Sequence, residues 1–191
     1  TQNIMEMIGQ IFPILSPAEN ILHTGFKHCG AILHSIPMIM NVNKIDKGQV
    51  FDYYMEGITP SIARIAEKVD LERVAVAKAF DIDIPTTMEN VSISYNSEGN
   101  NFYEVIQNNK AYVGIKSPTS LSHRFLAEDT FGSLVPLASI AKEVGVPTPG
   151  MDAIISIISL ATDMDYAAEG RTAEKLGIAG KSIKEIYEMI L

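Results

Sequence analysis

From Thr59 to Phe80, apolar side chains recur at helical spacing, and almost nothing elsewhere in the chain answers with the alternation of a strand. Ile62, Ile65, Ala66, Val69, Val76, Ala77 and Phe80 fall on one 3.6-period stripe. Thr59 suits the cap of this helix and Pro60 its first turn, where a missing N–H costs nothing. With no sheet to pack on, such a stripe must be buried against other helices, which confines the chain to an all-α, multi-helix bundle. Arg73 lies on the same stripe, and an inward guanidinium has to be paired, so a structural bridge to a carboxylate is expected there.

Upstream, Ile4, Met7, Ile8, Ile11, Phe12 and Leu15 predict a short helix that stops near Pro13 and Pro17. Ala18 to Thr24 reads as a connector with an extended piece at Asn20-Ile21-Leu22, and Gly25 permits a turn. Residues 26–41, FKHCGAILHSIPMIMN, predict an apolar helix with Lys27, Gly30, Ala31 and His34 on one face. Two of those four have almost no side chain, which leaves room beside the imidazole. Pro37 has no N–H for the Leu33 carbonyl and is expected to kink this helix within a turn of His34.

Residues 41–57 read as an irregular loop with a hairpin around Asp46 to Gly48, residues 81–100 as a loop, and residues 102–107 as one or two helical turns. Ser120 can cap a short helix holding Arg124. A second helix begins near Asp129 or Thr130, meets Pro136 as a kink or a late start, and closes at Gly145. Thr148 and Pro149 open a helix whose Met151, Ile154, Ile155, Ile157, Ile158 and Leu160 predict the central core helix. In the tail, Ser182 and Glu185 are spaced to cap the last one reciprocally.

Net charge is −8, with the 15 Lys and Arg residues scattered, so the basic footprint of a nucleic-acid binder is missing. The one cysteine, Cys29, excludes an internal disulfide and a cysteine-based zinc site, and reads best as a small buried hydrophobe in a reducing compartment. The longest apolar runs, 31–40 and 153–161, fall short of the roughly 20 residues that span a bilayer, and no signal peptide is read at the start. A cytoplasmic protein with no membrane partner and no metal is expected.

Four blocks then carry a resemblance. They are Leu22 to Asn41 with its AILH core, YYMEGITPSIARIAEKVDLERVAVAKAF from Tyr53, SHRFLAEDTFGSLVPLASIAKEVGVPTP from Ser122, and EGRTAEKLGI from Glu169. In this order they resemble the α-helical domain of the octopine/nopaline (opine) dehydrogenases. The resemblance implies a fold like the C-terminal domain of 6-phosphogluconate dehydrogenase, acting as the substrate domain of a two-domain enzyme. It further implies that NAD or NADP is bound mainly by an N-terminal Rossmann domain, and that an amino acid and a 2-oxo acid condense through an imine that is reduced. This chain has no glycine-rich GxGxxG turn after a strand. Residues 1–20 therefore resemble the segment leaving the missing Rossmann domain, and 21–191 the helical substrate domain; a homodimer is left open.

Position by position, the resemblance makes His34 the catalytic histidine, Asp129 its aspartate partner and Arg124 a contact to the substrate carboxylate. An imidazolium can donate a proton to a reacting carbonyl oxygen, a neighbouring carboxylate favours that charged form, and a planar guanidinium suits a carboxylate. From the residues alone, Asp129 reads equally as a helix cap and Arg124 as an exposed i,i+4 pair with Glu128. Tyr54, Glu56 and Thr59 also match. Three positions depart: Gly30 stands where the family commonly has a substrate-facing asparagine, Ser35 where proline often follows the histidine, and Phe125 where tyrosine follows the arginine. Two other readings stay open, a non-catalytic helical domain for dimerisation or ligand sensing, and a reductase of simple 2-oxo acids.

Overall fold

A computed structural model describes residues 2–13 and 15–190. Thirteen α-helices, with no strand among the described residues, make up the fold: α1 Gln2–Gly9, α2 Ile21–Lys27, α3 Gly30–Leu33, α4 Ser35–Met40, α5 Val42–Asp46, α6 Pro60–Ala79, α7 Thr87–Tyr95, α8 Phe102–Asn108, α9 Arg124–Asp129, α10 Val135–Glu143, α11 Pro149–Thr162, α12 Tyr166–Glu169 and α13 Ile183–Ile190. An antiparallel bridge, Asp52 to Lys116, clips two loops together. No helix among the described residues is long and apolar enough to cross a membrane.

The hub is α6. Thr59 caps it, its Oγ1 accepting from the Ile62 N–H, and Pro60 opens it as expected. Its Ala63, Ala66, Val69, Val76 and Ala77 are buried, and α2, α3, α4, α8, α10 and α11 all pack against it. The predicted central helix, α11, is instead one layer out: Met151, Ile154, Ile155 and Ile158 are buried, but Ile157 is partly exposed and Leu160 is 86% exposed. The Thr148 side chain makes no capping bond; the carboxylate of Glu72 on α6 accepts from the N–H groups of Gly150 (2.7 Å) and Met151 (2.8 Å). An acidic side chain from another helix thus satisfies donors that a local cap would have taken, at the positive end of the helix dipole.

Arg73, 1% exposed, is paired as its position demanded. Its Nε donates to Asp70 (2.7 Å), Nη1 to the Phe26 carbonyl (2.7 Å) and Nη2 to the Pro85 carbonyl (2.8 Å). Asp70 also accepts from the N–H and hydroxyl of Thr87. One buried ion pair therefore ties the end of α2 and the start of α7 to the hub, with its hydrogen-bonding capacity well satisfied.

Several elements differ from the sequence reading. The supposed extended piece at Asn20 to Leu22 is the start of α2, because Asn20 Oδ1 caps it by accepting from the His23 N–H; Gly25 lies within that helix. The loop expected at 81–100 holds α7, begun by a capping box between Thr86 and Glu89. The stretch 41–57 contains α5 rather than a hairpin. The helix expected over 26–41 is three pieces, broken at His28–Cys29 and at His34. Pro37 is the physical reason for the second break: its ring would collide with the Leu33 carbonyl in a continuous helix, and ending α3 at Leu33 leaves Pro37 in the first turn of α4, where it is tolerated. Farther on, His123, not Ser120, caps the helix of Arg124, its Nδ1 accepting from the Phe125 N–H. A π turn, Thr130–Leu134, then runs straight into α10, placing Pro136 near that helix's start.

Candidate active site

The break before α4 turns the His34 ring toward α9. His34 has φ −117° and ψ −64°, its N–H still donates to the Gly30 carbonyl (2.8 Å), and its own carbonyl accepts from the Met38 N–H and the Tyr53 hydroxyl. The backbone of the histidine is thereby fixed on both sides. Its ring lies flat on Phe125, centroids 4.1 Å apart and planes 6° apart, and Nδ1 meets Asp129 Oδ2 at 2.7 Å. The break between α3 and α4 and the last residue of α9, 95 residues apart in the chain, supply this pair. A carboxylate can only accept, so the contact places a proton on Nδ1 and leaves Nε2 as the ring nitrogen free for chemistry.

Secondary contacts hold α4 and α9 in register. The Ser35 hydroxyl donates to the Phe125 carbonyl (3.2 Å) and accepts from the Thr130 hydroxyl (3.3 Å). Ser35 therefore supplies a cross-helix tether through one hydroxyl. Asp129 is approached on its other oxygen by His28 Nε2, at 3.9 Å. Gly30 sits directly beneath: a Cβ there would stand 2.5 Å from Asp129 Oδ1 and 2.5 Å from His28 Cε1. The missing side chain is the room that the carboxylate occupies, which answers the expectation of space beside the imidazole.

Arg124 and Tyr54 are placed differently. Arg124 Nη1 pairs with Glu128 Oε2 at 3.2 Å, with side chains 68% and 63% exposed, and its guanidinium leans over the Phe125 ring at 5.6 Å. It stands on the rim, one residue from the ring that supports His34. Tyr54 is buried behind the pair, stacked on Tyr112 at 4.1 Å and meeting Tyr53 edge-on. Burial, reinforced by the nearby Tyr95 and Asp129, pushes its hydroxyl up to about 12. Burial likewise raises the Cys29 thiol above its usual range, and Asn90 Nδ2 donates to the sulfur at 3.4 Å. Among the described residues, no cluster of three or more His, Cys, Asp or Glu side chains is arranged to hold a metal ion.

The histidine–aspartate pair was identified from the sequence, whereas the second histidine at the carboxylate and the stacking role of Phe125 were not. His28 and His34 are six residues apart, a spacing that puts them on different faces of any continuous helix, and only the break at His28–Cys29 allows both near Asp129.

Known proteins resemble this chain in sequence and in fold. The family model for the α-helical domain of NAD/NADP octopine/nopaline dehydrogenase matches residues 17–162. An opine dehydrogenase of Arthrobacter sp. (strain 1C) is 44% identical over 176 residues, covering 92% of this chain and 49% of the relative. Octopine dehydrogenase structures in complex with NADH and L-arginine, and with NADH and agmatine, share the fold with TM-scores of 0.74 and 0.76 at 16% and 17% identity, each covering 95% of this chain and 53% of the other. The chain spans about half the length of the proteins it matches.

Proposed function

The chain belongs to the octopine/nopaline dehydrogenase family, through the α-helical domain, and on that premise we propose that it supplies the substrate site and the acid–base pair of an NAD(P)H-dependent reductive condensation of an amino acid with a 2-oxo acid. The observation that carries the proposal is the 2.7 Å contact between His34 Nδ1 and Asp129 Oδ2. Attack of an amine on a 2-oxo acid builds negative charge on the carbonyl oxygen, and loss of that oxygen as water requires protons. As an imidazolium, His34, held by Asp129 and stacked on Phe125, donates through Nε2 and keeps the proton on Nδ1; Asp129 orients the ring and offsets the charge of the imidazolium. The nicotinamide contributes the hydride that reduces the resulting imine.

The described residues hold no strand leading through a glycine-rich turn into a helix. We assign cofactor binding to a further domain, a reading supported by the half-length match to relatives. Residues 1–20 then lead in from it, and the exposed Ile4, Met7 and Ile11 at the chain's start offer that domain an apolar face.

The test is steady-state kinetics on the protein together with its cofactor domain. His34→Ala lowers kcat/KM by about 10²- to 10⁴-fold, with circular dichroism unchanged. A folded His34→Ala variant at near wild-type rate refutes the assignment.

A further inference from the structure

A cleft of about 510 Å³ opens beside the catalytic carboxylate, lined by His28, Glu128, Asp129, Phe131, Gly132 and Arg171. Its charged groups differ in how they are engaged. Asp129 is held by His34, and Glu128 is paired with Arg124. Arg171 makes no ion pair or side-chain hydrogen bond with any described residue, and it is the one lysine or arginine among the described lining residues.

The root of Arg171 is nevertheless built in. Its N–H donates to the Phe131 carbonyl in the π turn (3.2 Å), so it is anchored to the segment that follows Asp129 directly. Gly170 presses on the first residue of α10, where a Cβ would stand 2.5 Å from Val135 Cγ1. From downstream, the Lys175 ammonium reaches back to donate to the carbonyls of Ala168 and Glu169, both at 2.8 Å. A close-packed backbone therefore presents a long, uncompensated guanidinium to a cleft whose opposite charges are carboxylates.

This arrangement bears on the reaction proposed above, on which the inference rests. Joining an amino acid to a 2-oxo acid through nitrogen gives a product with two carboxylates, and Arg124 can serve one of them. We infer that Arg171 binds the α-carboxylate of the amino-acid substrate, whose amino group lies toward the edge formed by Glu128 and Asp129. A guanidinium and a carboxylate facing across one cleft match the two charges of a zwitterion.

The experiment compares wild type, Arg171→Gln and Arg171→Lys in the protein with its cofactor domain, using each accepted amino acid and the amine that lacks its carboxylate. Arg171→Gln is expected to raise KM for the amino acid about 10- to 100-fold, the loss of one charge-assisted bidentate contact. KM for the oxo acid and for the decarboxylated amine stays within about twofold, and Arg171→Lys recovers part of the loss because it keeps the charge without the fork. An equal rise for amino acid and amine, a rise confined to the oxo acid, or no rise at all overturns the assignment. If the wild type reduces no pair of substrates, the proposed reaction fails, and calorimetric titration with the same amino acids and amines decides separately. Weaker amino-acid binding by Arg171→Gln with unchanged amine binding upholds the carboxylate site; equal affinities, or no amino-acid binding by wild type, overturn it.

Discussion

Replacing Gly30 by alanine tests whether the position of the Asp129 carboxylate, rather than its presence, matters. The new Cβ would lie 2.5 Å from Asp129 Oδ1, 3.0 Å from its Cγ and 2.5 Å from His28 Cε1. To reach ordinary contact the carboxylate must withdraw by about 1 Å. Because it moves as a rigid unit, the 2.7 Å bond from Oδ2 to His34 Nδ1 stretches beyond hydrogen-bonding range. The atoms in conflict are ends of flexible side chains, and alanine is the better helix former, so overpacking and propensity nearly offset. Stability is expected to change by no more than about 1 kcal/mol, a shift in Tm of roughly 2–4 °C for a domain of this size. A 1 Å displacement at a reacting group, in contrast, costs about 10²-fold in rate. Thermal melts and kcat measured on the same preparation, with the cofactor domain present, separate the two effects. Gly30→Ala with wild-type kcat, or with a stability loss of several kcal/mol that accounts for the inactivity, refutes the reasoning. The same clash is larger for Gly30→Asn, so a longer side chain at this position is expected to harm this protein further.

Arg124→Ala is expected to leave Tm within about 1–2 °C, since an exposed i,i+4 pair contributes only ~0.3–0.5 kcal/mol, while raising KM for the 2-oxo acid; unchanged kinetics reduce Arg124 to its pairing with Glu128. Arg73→Ala strands Asp70 in the core and is expected to destabilise by about 3–5 kcal/mol in denaturant titration; a loss under 1 kcal/mol shows that the pair is dispensable. Tyr54 adds a pH dependence. Its phenol ionises near 10.0 when unfolded and about 12 when folded, so below pH 10 it contributes nothing to the slope, and between those values the unfolded state loses its proton first and stability falls as pH rises. Tyr54→Phe should therefore make the decline in stability from pH 10 to 12 shallower, by roughly 2–3 kcal/mol at its end, and an identical decline in both proteins refutes the burial of that hydroxyl.

What could be read from the sequence was what local chemistry decides. Thr59-Pro60 and the Ser182–Glu185 box mark helix starts wherever they occur, and both operate as read. Asn20 and the Thr86–Glu89 box carry the same kind of signal, but the segments behind them, ILHTGFK and TMENVSISY, are so short or polar that no apolar period follows the cap to mark a helix. Thr148 misled for the opposite reason: a distant carboxylate, Glu72, took over a role that sequence assigns locally. At the site, His34, Asp129 and Gly30 do come together, although what joins them is a contact across 95 residues that no spacing rule contains. The resemblance to a family named the pair; the broken helix explains how the chain brings it about.

The π turn at Thr130–Leu134 lies between that pair and the core. Asp129 has to face α3 and α4, while Val135, Leu137, Ala138, Ile140 and Ala141 have to face the interior. A π turn carries an extra residue relative to α-helical winding, so it acts as a phase shifter between two surfaces that one uniform helix would hold at the wrong relative angle. Winding the same residues as a uniform α-helix would regularise the backbone, yet rotate everything on one side of the turn by about 100°. In this stretch the more ideal helix is the one that cannot aim a carboxylate at His34 and keep its core at the same time.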